Sequence, residues 1–178
     1  MFIGHLPGAY LIFRTTAPNL GKLAFAAAMI GAVAPDIDIF WFYLIDDRGH
    51  HHHSYLTHRP IIWASILLLG LLIRQWRLQI GTFLTFLGAG GLVHMLLDSI
   101  TGEVTWIWPF SDATYPLVTV QATHSHWILS FLNHWTFKIE ILITMVAIFV
   151  WVMTRRRAKK PKQSHDRKTR EPQGPGFH

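Results

Sequence analysis

Five ionisable side chains lie inside or at the ends of apolar stretches of this sequence. They are His5, Asp36, Asp38, His94 and Asp98. Ionisable groups within membrane segments are energetically costly and are treated as functional by default. Because imidazole nitrogens and carboxylate oxygens are common ligands of Zn²⁺ and Mn²⁺, these residue types together predict a metal site.

His94 and Asp98 are separated by four positions in an apolar segment. On a helix this spacing places both side chains on one face, where they can bind one ion from a rigid support. The alternative is a hydrogen-bonded His–Asp pair in the core of a helical bundle. The pair alone does not decide between these two interpretations.

Asp36 and Asp38 follow Pro35, which tends to end a regular helix. In an extended stretch, residues two apart point the same way, so both carboxylates are expected to face one site. Two buried carboxylates repel unless a cation neutralises them. The alternative is a solvated turn that caps a helix.

A histidine-rich segment follows, with a run at positions 50–53 and a further histidine at position 58. Such segments bind metals weakly whatever their role. Because successive side chains point in different directions, only one or two of the run are expected to be specific ligands. We expect His53 and His58 to bind the metal, and His51 or His52 to be an alternative ligand or to lie beside the site.

The composition is that of a membrane protein. The 178 residues are 51% hydrophobic and 15% charged, the latter against about 25% in soluble domains, and there is no cysteine. The net charge is +6, but residues 154–178 carry +7 and residues 1–153 carry −1. A disordered chain, a coiled coil and a disulfide-stapled module are excluded. The charge is a property of the tail and predicts no nucleic-acid binding through it.

The apolar segments predict an all-α, multi-pass membrane bundle of about four to five short transmembrane helices. Residues 1–153 form the membrane domain, and residues 154–178 form a basic, disordered tail. The length of segment 2–13 leaves open whether it spans the membrane. Basic residues alternate between connections and are absent from residues 101–135, which places the tail in the cytoplasm and the metal site at the outer end.

The motifs together resemble the membrane-bound metal-dependent hydrolase family, which includes LexA-binding inner-membrane-associated hydrolases. The resemblance covers residues 1–112 and rests on five features in order. These are His5, Pro35-Asp-x-Asp38, His53 with Thr57-His58, Gly91-x-x-His94-x-x-x-Asp98, and Trp108-Pro-Phe-Ser111. The family is loosely similar in ligand pattern to zinc phospholipase C and single-strand nuclease, which cleave phosphate esters.

The chain departs from the family pattern around the histidine run. The usual His-Arg-Gly-x-Thr-His-Ser is here His53-Ser-Tyr-Leu-Thr-His58-Arg59, preceded by three further histidines. The ligand can therefore shift to His51 or His52. His134, with the following Trp-Thr-Phe, and Glu140 are typical of a subgroup, and no role follows for them beyond His134 as an alternative ligand.

We therefore expect a membrane-embedded hydrolase that cleaves a phosphate ester of a lipid or other amphipathic substrate with a metal-activated water. One or two Zn²⁺ ions, or Mn²⁺, would be held by His5, Asp36, Asp38, His53, His58, His94 and Asp98. Asp36 or Asp38 would bridge the ions or accept a proton, and Arg59 would bind an anionic head group or simply flank the membrane.

Two other classes of protein remain as alternatives. The first is a non-enzymatic membrane protein that binds or transports metal, in which the histidine run captures ions. The second is a membrane anchor for a regulator. The expected partner is membrane lipid, which the basic tail can also contact at the cytoplasmic leaflet.

Overall fold

The computed structural model describes residues 3–45, 55–125 and 127–159, and all regular structure in these ranges is helical. The predicted all-α class is confirmed. The α-helices are α1 (His5–Thr16), α2 (Lys22–Gly31), α3 (Asp38–Leu44), α4 (Pro60–Ile73), α5 (Leu78–Asp98), α6 (Trp127–Asn133) and α7 (Trp135–Lys159). Two 3₁₀ turns, Ala34–Ile37 and Leu56–His58, precede α3 and α4.

Two helices in the described ranges, α5 and α7, are long and apolar enough to cross a membrane. The pair α2 and α3, bent by 49°, qualifies as a third if it forms one span. The 14 residues of α4 are apolar but fewer than the about 20 that a perpendicular span needs, and α1 is shorter still. The chain is thus a helical membrane protein that combines long apolar helices with shorter ones.

Helix α5 lies at the centre of the bundle because its glycines let two other helices approach its backbone. A Cβ atom on Gly90 would collide with the backbone of α2 at Ala28 and Ala32, and one on Gly88 would collide with α4 at Leu67. Small residues at helix contacts are the usual means of close packing in membranes. The seam of glycines therefore fixes α2 and α4 against α5.

The contacts along this seam also set the helix directions. Gly70 of α4 lies against Thr85 of α5, while Gly88 lies against Leu67, so α4 and α5 are antiparallel. Gly90 lies against Ala28, and His94 contacts Ala32, so α2 and α5 are parallel. As a result, the end of α2, the beginning of α4 and the end of α5 meet at one end of the bundle.

The seam yields a test of the packing. Helix propensity alone favours Ala over Gly by up to about 1 kcal/mol. We nevertheless expect Gly90→Ala to lower the free energy of unfolding by about 1–3 kcal/mol, because the new methyl group must push the α2 backbone away. Chemical denaturation in detergent micelles measures this.

Gly21→Ala is the matched control, because no heavy atom lies within 4 Å of the added methyl group. Because Gly21 is the N-cap of α2, where Ala is less favourable than Gly, we expect a loss of at most about 1 kcal/mol, without displacement of the helix. A Gly90→Ala variant as stable as the wild type would contradict the close approach of α2 and α5.

Candidate metal centre

Four side-chain atoms face one another where α2, α4 and α5 meet. They are Asp36 Oδ1, His58 Nε2, His94 Nε2 and Asp98 Oδ2, which we call the donor ring. Asp36 Oδ1 lies 3.7 Å from His58 Nε2 and 3.5 Å from His94 Nε2. Asp98 Oδ2 lies 3.6 Å and 3.1 Å from the same two nitrogens.

The spacing of the donor ring suits a small divalent ion. With ligand bonds of 2.0–2.1 Å, the donors of a tetrahedral zinc site lie about 3.3 Å from one another. Four of the six separations within the donor ring, 3.1–3.7 Å, bracket this value. His58, His94 and Asp98 are the three ring residues whose donor atoms all lie within 4.8 Å of one another. Two nitrogen and two oxygen donors without a thiol suit Zn²⁺ or Mn²⁺.

The backbone determines which nitrogen of His94 faces the ring. His94 Nδ1 donates a hydrogen bond to the Ala32 carbonyl oxygen at 2.8 Å. In the neutral imidazole this leaves the lone pair on Nε2, which is buried and has no hydrogen-bond partner in the described part of the chain. Metal-binding histidines are typically oriented in this way. His94 therefore presents a donor atom to the ring.

Asp38 orients His58 from behind. Its Oδ2 accepts a hydrogen bond from His58 Nδ1 at 2.5 Å and another from the hydroxyl of Thr57. His58 Nε2 consequently faces the donor ring. A carboxylate behind a metal-binding histidine fixes the ring and increases its basicity.

This position of Asp38 differs from the one expected from sequence. The residues after Pro35 form a 3₁₀ turn instead of an extended stretch, because the fixed φ of proline is compatible with the first positions of a helical turn. Asp38 then begins α3. The two carboxylates therefore face opposite sides of His58, with Asp36 in the donor ring and Asp38 outside it.

The carboxylates around His58 favour positive charge. Burial lowers the pKa of the imidazole, but Asp36 and Asp38 more than offset this effect and raise the pKa of His58 to about 9. A cation bound at the donor ring would benefit from the same carboxylates.

His5, the first residue of α1, contacts the second oxygen of each carboxylate in the donor ring. Its Nε2 is 2.8 Å from Asp98 Oδ1, and its Nδ1 is 3.5 Å from Asp36 Oδ2. Its ring stacks on His94 with the centroids 3.7 Å apart. His5, Asp36 and His94 form a second group of possible donors. Because His94 Nδ1 is bonded to Ala32, its Nε2 can bind one ion only, so a second ion would have to be held by His5 and Asp36 without His94.

Glu140 of α7 had no role in the sequence interpretation, and the structure places it at the beginning of α1. Its Oε2 accepts hydrogen bonds from the backbone N–H groups of Ile3 and Gly4 at 2.7 and 3.0 Å. Its acidic type within an apolar run was a signal of function. The partner could not be found from sequence because the contact joins residues 136 positions apart.

Arg59 is directed toward the loop that follows α5. Its Nη1 donates a hydrogen bond to the Thr105 hydroxyl and lies 3.9 Å from Asp112 Oδ1. Its guanidinium group lies over the ring of Trp108. The residue thus joins the beginning of α4 to the Trp-Pro-Phe-Ser stretch.

One other candidate ligand, His134, is among the described residues, and it does not enter the cluster. His134 lies between α6 and α7, where its Nδ1 is 2.8 Å from the Thr136 hydroxyl oxygen. His51, His52 and His53 lie outside the described residues.

Access to the cluster is uneven. The Asp36 side chain is 31% exposed, whereas those of His5, His58, His94 and Asp98 are at most 5% exposed. Asp36 is followed by α3, whose Phe40 and Leu44 are 69% and 76% exposed. The described opening of the site is therefore on the side of Asp36, beside an apolar helix.

These features define a class: an all-helical membrane protein with buried histidines and aspartates gathered at one end of its helices. A family model described as "YdjM inner membrane protein" matches residues 1–160. The chain belongs to this family, and its apolar helices agree with association with a membrane. No curated protein and no solved structure matches the chain.

The geometry separates donor residues from supporting residues, and zinc content can test this. We expect Asp98→Ala and His58→Ala to abolish zinc retention, because each removes an atom of the donor ring. Asp38→Asn should weaken zinc affinity about 10–100-fold, as for other residues that orient a ligand. Metal analysis and competition with a chelating dye on protein purified in detergent measure both.

Glu103→Gln is the control, since Glu103 is an exposed carboxylate beyond α5 that should leave zinc content unchanged. Zinc content that is equal in the wild type, Asp98→Ala and His58→Ala would show that the donor ring does not hold the metal.

Proposed function

We propose that the chain is a membrane-embedded metal-dependent hydrolase that cleaves a phosphate ester of a lipid or other amphipathic substrate. The donor ring is the observation that carries this proposal. It brings together an aspartate and a histidine on two turns and a His–Asp pair on α5, and each imidazole nitrogen lies 3.1–3.7 Å from both carboxylate oxygens, as in a zinc or manganese site.

The buried residues have defined tasks in this proposal. His58, His94, Asp36 and Asp98 hold one ion, and His5 supports the two carboxylates or helps to hold a second ion. An ion held there would polarise a phosphoryl oxygen and lower the pKa of water toward neutrality, so that the water could lose a proton and act as the nucleophile. Asp38 fixes His58, and the Ala32 carbonyl fixes His94.

Asp36 is the best candidate for contact with the attacking water. It is the partly exposed carboxylate of the cluster, whereas Asp98 is enclosed. Its Oδ2 points toward His5 Nδ1, so a proton accepted at Asp36 has a second acceptor 3.5 Å away. Arg59, at the junction with the Trp108 loop, is the candidate for binding an anionic head group.

The surroundings of the opening support an amphipathic substrate. Asp36 lies between the buried cluster and α3, whose large apolar side chains are exposed. Helices with exposed apolar side chains beside a polar cluster suit the boundary between lipid and water. A substrate with an apolar chain and a phosphate ester would place each part in a matching environment.

Hydrolysis in detergent tests this proposal. Zinc-loaded wild-type protein should hydrolyse bis(p-nitrophenyl) phosphate, and more efficiently a phospholipid or a polyprenyl phosphate, and a chelator should abolish both activities. Asp36→Asn should reduce the turnover number about 100-fold or more, because proton transfer contributes about 10²–10⁴-fold. Glu103→Gln is the matched carboxylate-to-amide control and should keep full activity.

The metal-transport alternative predicts a different result in the same preparation. The protein would be a transporter and not a hydrolase if it were inactive on all three substrates and if proteoliposomes that contain it took up zinc while empty liposomes did not. Inactivity on lipid substrates with activity on the soluble diester alone would contradict the amphipathic substrate.

We further propose that the protein is multi-pass in the cytoplasmic membrane, with the donor ring near the outer surface and the basic tail in the cytoplasm. The bundle end opposite the donor ring carries Arg74 and Arg77 between α4 and α5, and Arg14 ends α1 on the same side. Basic connections of this kind are typical of the cytoplasmic side.

Cysteine labelling of intact cells tests the orientation, because the wild-type chain has no cysteine. A membrane-impermeant maleimide should label Thr114→Cys, which lies in the exposed loop after α5. Gln75→Cys, exposed between α4 and α5, should be labelled only after the cells are opened. The reverse pattern would invert the topology.

A further inference from the structure

Glu140 is a buried acidic residue with no part in binding the metal as described above. Only 1% of its surface is exposed, and it lies in the second turn of α7, a candidate membrane span. A carboxylate at such a position is unfavourable unless it is hydrogen-bonded or paired. We therefore expect the Glu140 carboxylate to accept hydrogen bonds from, or to pair with, another group in the bundle.

The beginning of α1 supplies that partner. Helix α1 has Gly4 at its N-cap, a residue with no side chain to bond the free backbone N–H groups. Glu140 Oε2 accepts hydrogen bonds from the backbone N–H of Gly4, the N-cap residue, and from that of Ile3, which precedes the helix. Glu140 therefore satisfies one of the N–H groups that α1 itself leaves without a partner, and it also holds the residue just before the helix. The positive end of the helix dipole adds to the attraction for the carboxylate.

The capped residues are directly followed by His5. His5 Nε2 bonds Asp98 Oδ1, and its ring stacks on that of His94, so its position depends on where α1 begins. Gly8 of α1 also lies close to Leu97 of α5, which limits how far α1 can move along α5. The hydrogen bonds from Ile3 and Gly4 to Glu140 restrict the movement of the first turn of α1, where His5 is located.

We infer that Glu140 is a positioning residue of the metal centre, which acts through the first turn of α1 on His5. The inference rests on the proposed metal centre. It assigns α7 a role in the site although the donor ring contains no α7 residue. The alternative is that Glu140 only attaches α7 to the bundle and has no effect on the metal centre.

A double-mutant cycle on zinc affinity separates these two roles. In the full-length protein in detergent, Glu140→Ala should weaken zinc binding about 10-fold, within the range typical of supporting residues around a metal. His5→Ala should weaken it at least as much. The double variant should bind zinc as His5→Ala does, because Glu140 acts only through His5.

Two further variants control for stability and charge. Thr136→Val alters another buried residue at the beginning of α7 and should lower the unfolding temperature without changing zinc affinity. Glu140→Gln keeps an acceptor oxygen without the charge and should restore most of the zinc affinity lost in Glu140→Ala.

Unchanged zinc affinity in Glu140→Ala would overturn the inference. So would a double variant whose loss equals the product of the two single losses, because the two residues would then act independently. If the wild type binds no zinc, the proposed metal centre itself is wrong. The positioning role of Glu140 is then tested in the metal-free protein, where Glu140→Ala should shift the NMR signals of the His5 imidazole. Unchanged signals would show that Glu140 does not position His5.

Discussion

The structure depends on the placement of two carboxylates, the buried Asp98 and the partly exposed Asp36, at one end of an apolar helical bundle. Buried charges without partners are strongly unfavourable, and their removal or compensation dominates the local energetics. Here three imidazoles surround the two carboxylates, and every described member of the cluster except Asp36 is almost fully enclosed. The helices must therefore converge at one end, where these groups can neutralise one another or bind a cation.

The glycine seam of α5 makes this convergence possible. Because the backbones of α2 and α4 pack directly against α5, the Ala32 carbonyl comes within hydrogen-bonding distance of His94, and Trp63 of α4 lies against Gly91. Bulkier residues would move α2 outward and separate Asp36 from His94. The precision of the donor ring is thus set by contacts one to two helical turns away from it.

Much of this arrangement could be predicted from sequence. The His94–Asp98 spacing, the apolar segments and the alternation of basic connections together indicated helices with polar groups at a common end. The opposite facing of Asp36 and Asp38 could not be predicted, because it depends on whether the chain after Pro35 is extended or a 3₁₀ turn. Proline is compatible with both conformations, and only tertiary contacts decide between them.

Two further features depended on contacts between distant residues. The position of Arg59 depends on a loop about 46 residues later in the chain, and no local pattern specifies that contact. Glu140 is similar: no role followed for it from the sequence, because its role depends on which helix end it meets. Sequence patterns report what a residue costs to bury more readily than what it is buried against.

The hydrogen bonds between Glu140 and the beginning of α1 have a consequence for the order of synthesis. Ile3 and Gly4 are synthesised before their acceptor, which is 137 and 136 residues later in the chain. The beginning of α1 therefore acquires these hydrogen bonds only after the first turns of α7 have been made. A chain truncated before α7 would contain every residue of the donor ring and would still leave its first turn without the carboxylate that caps it.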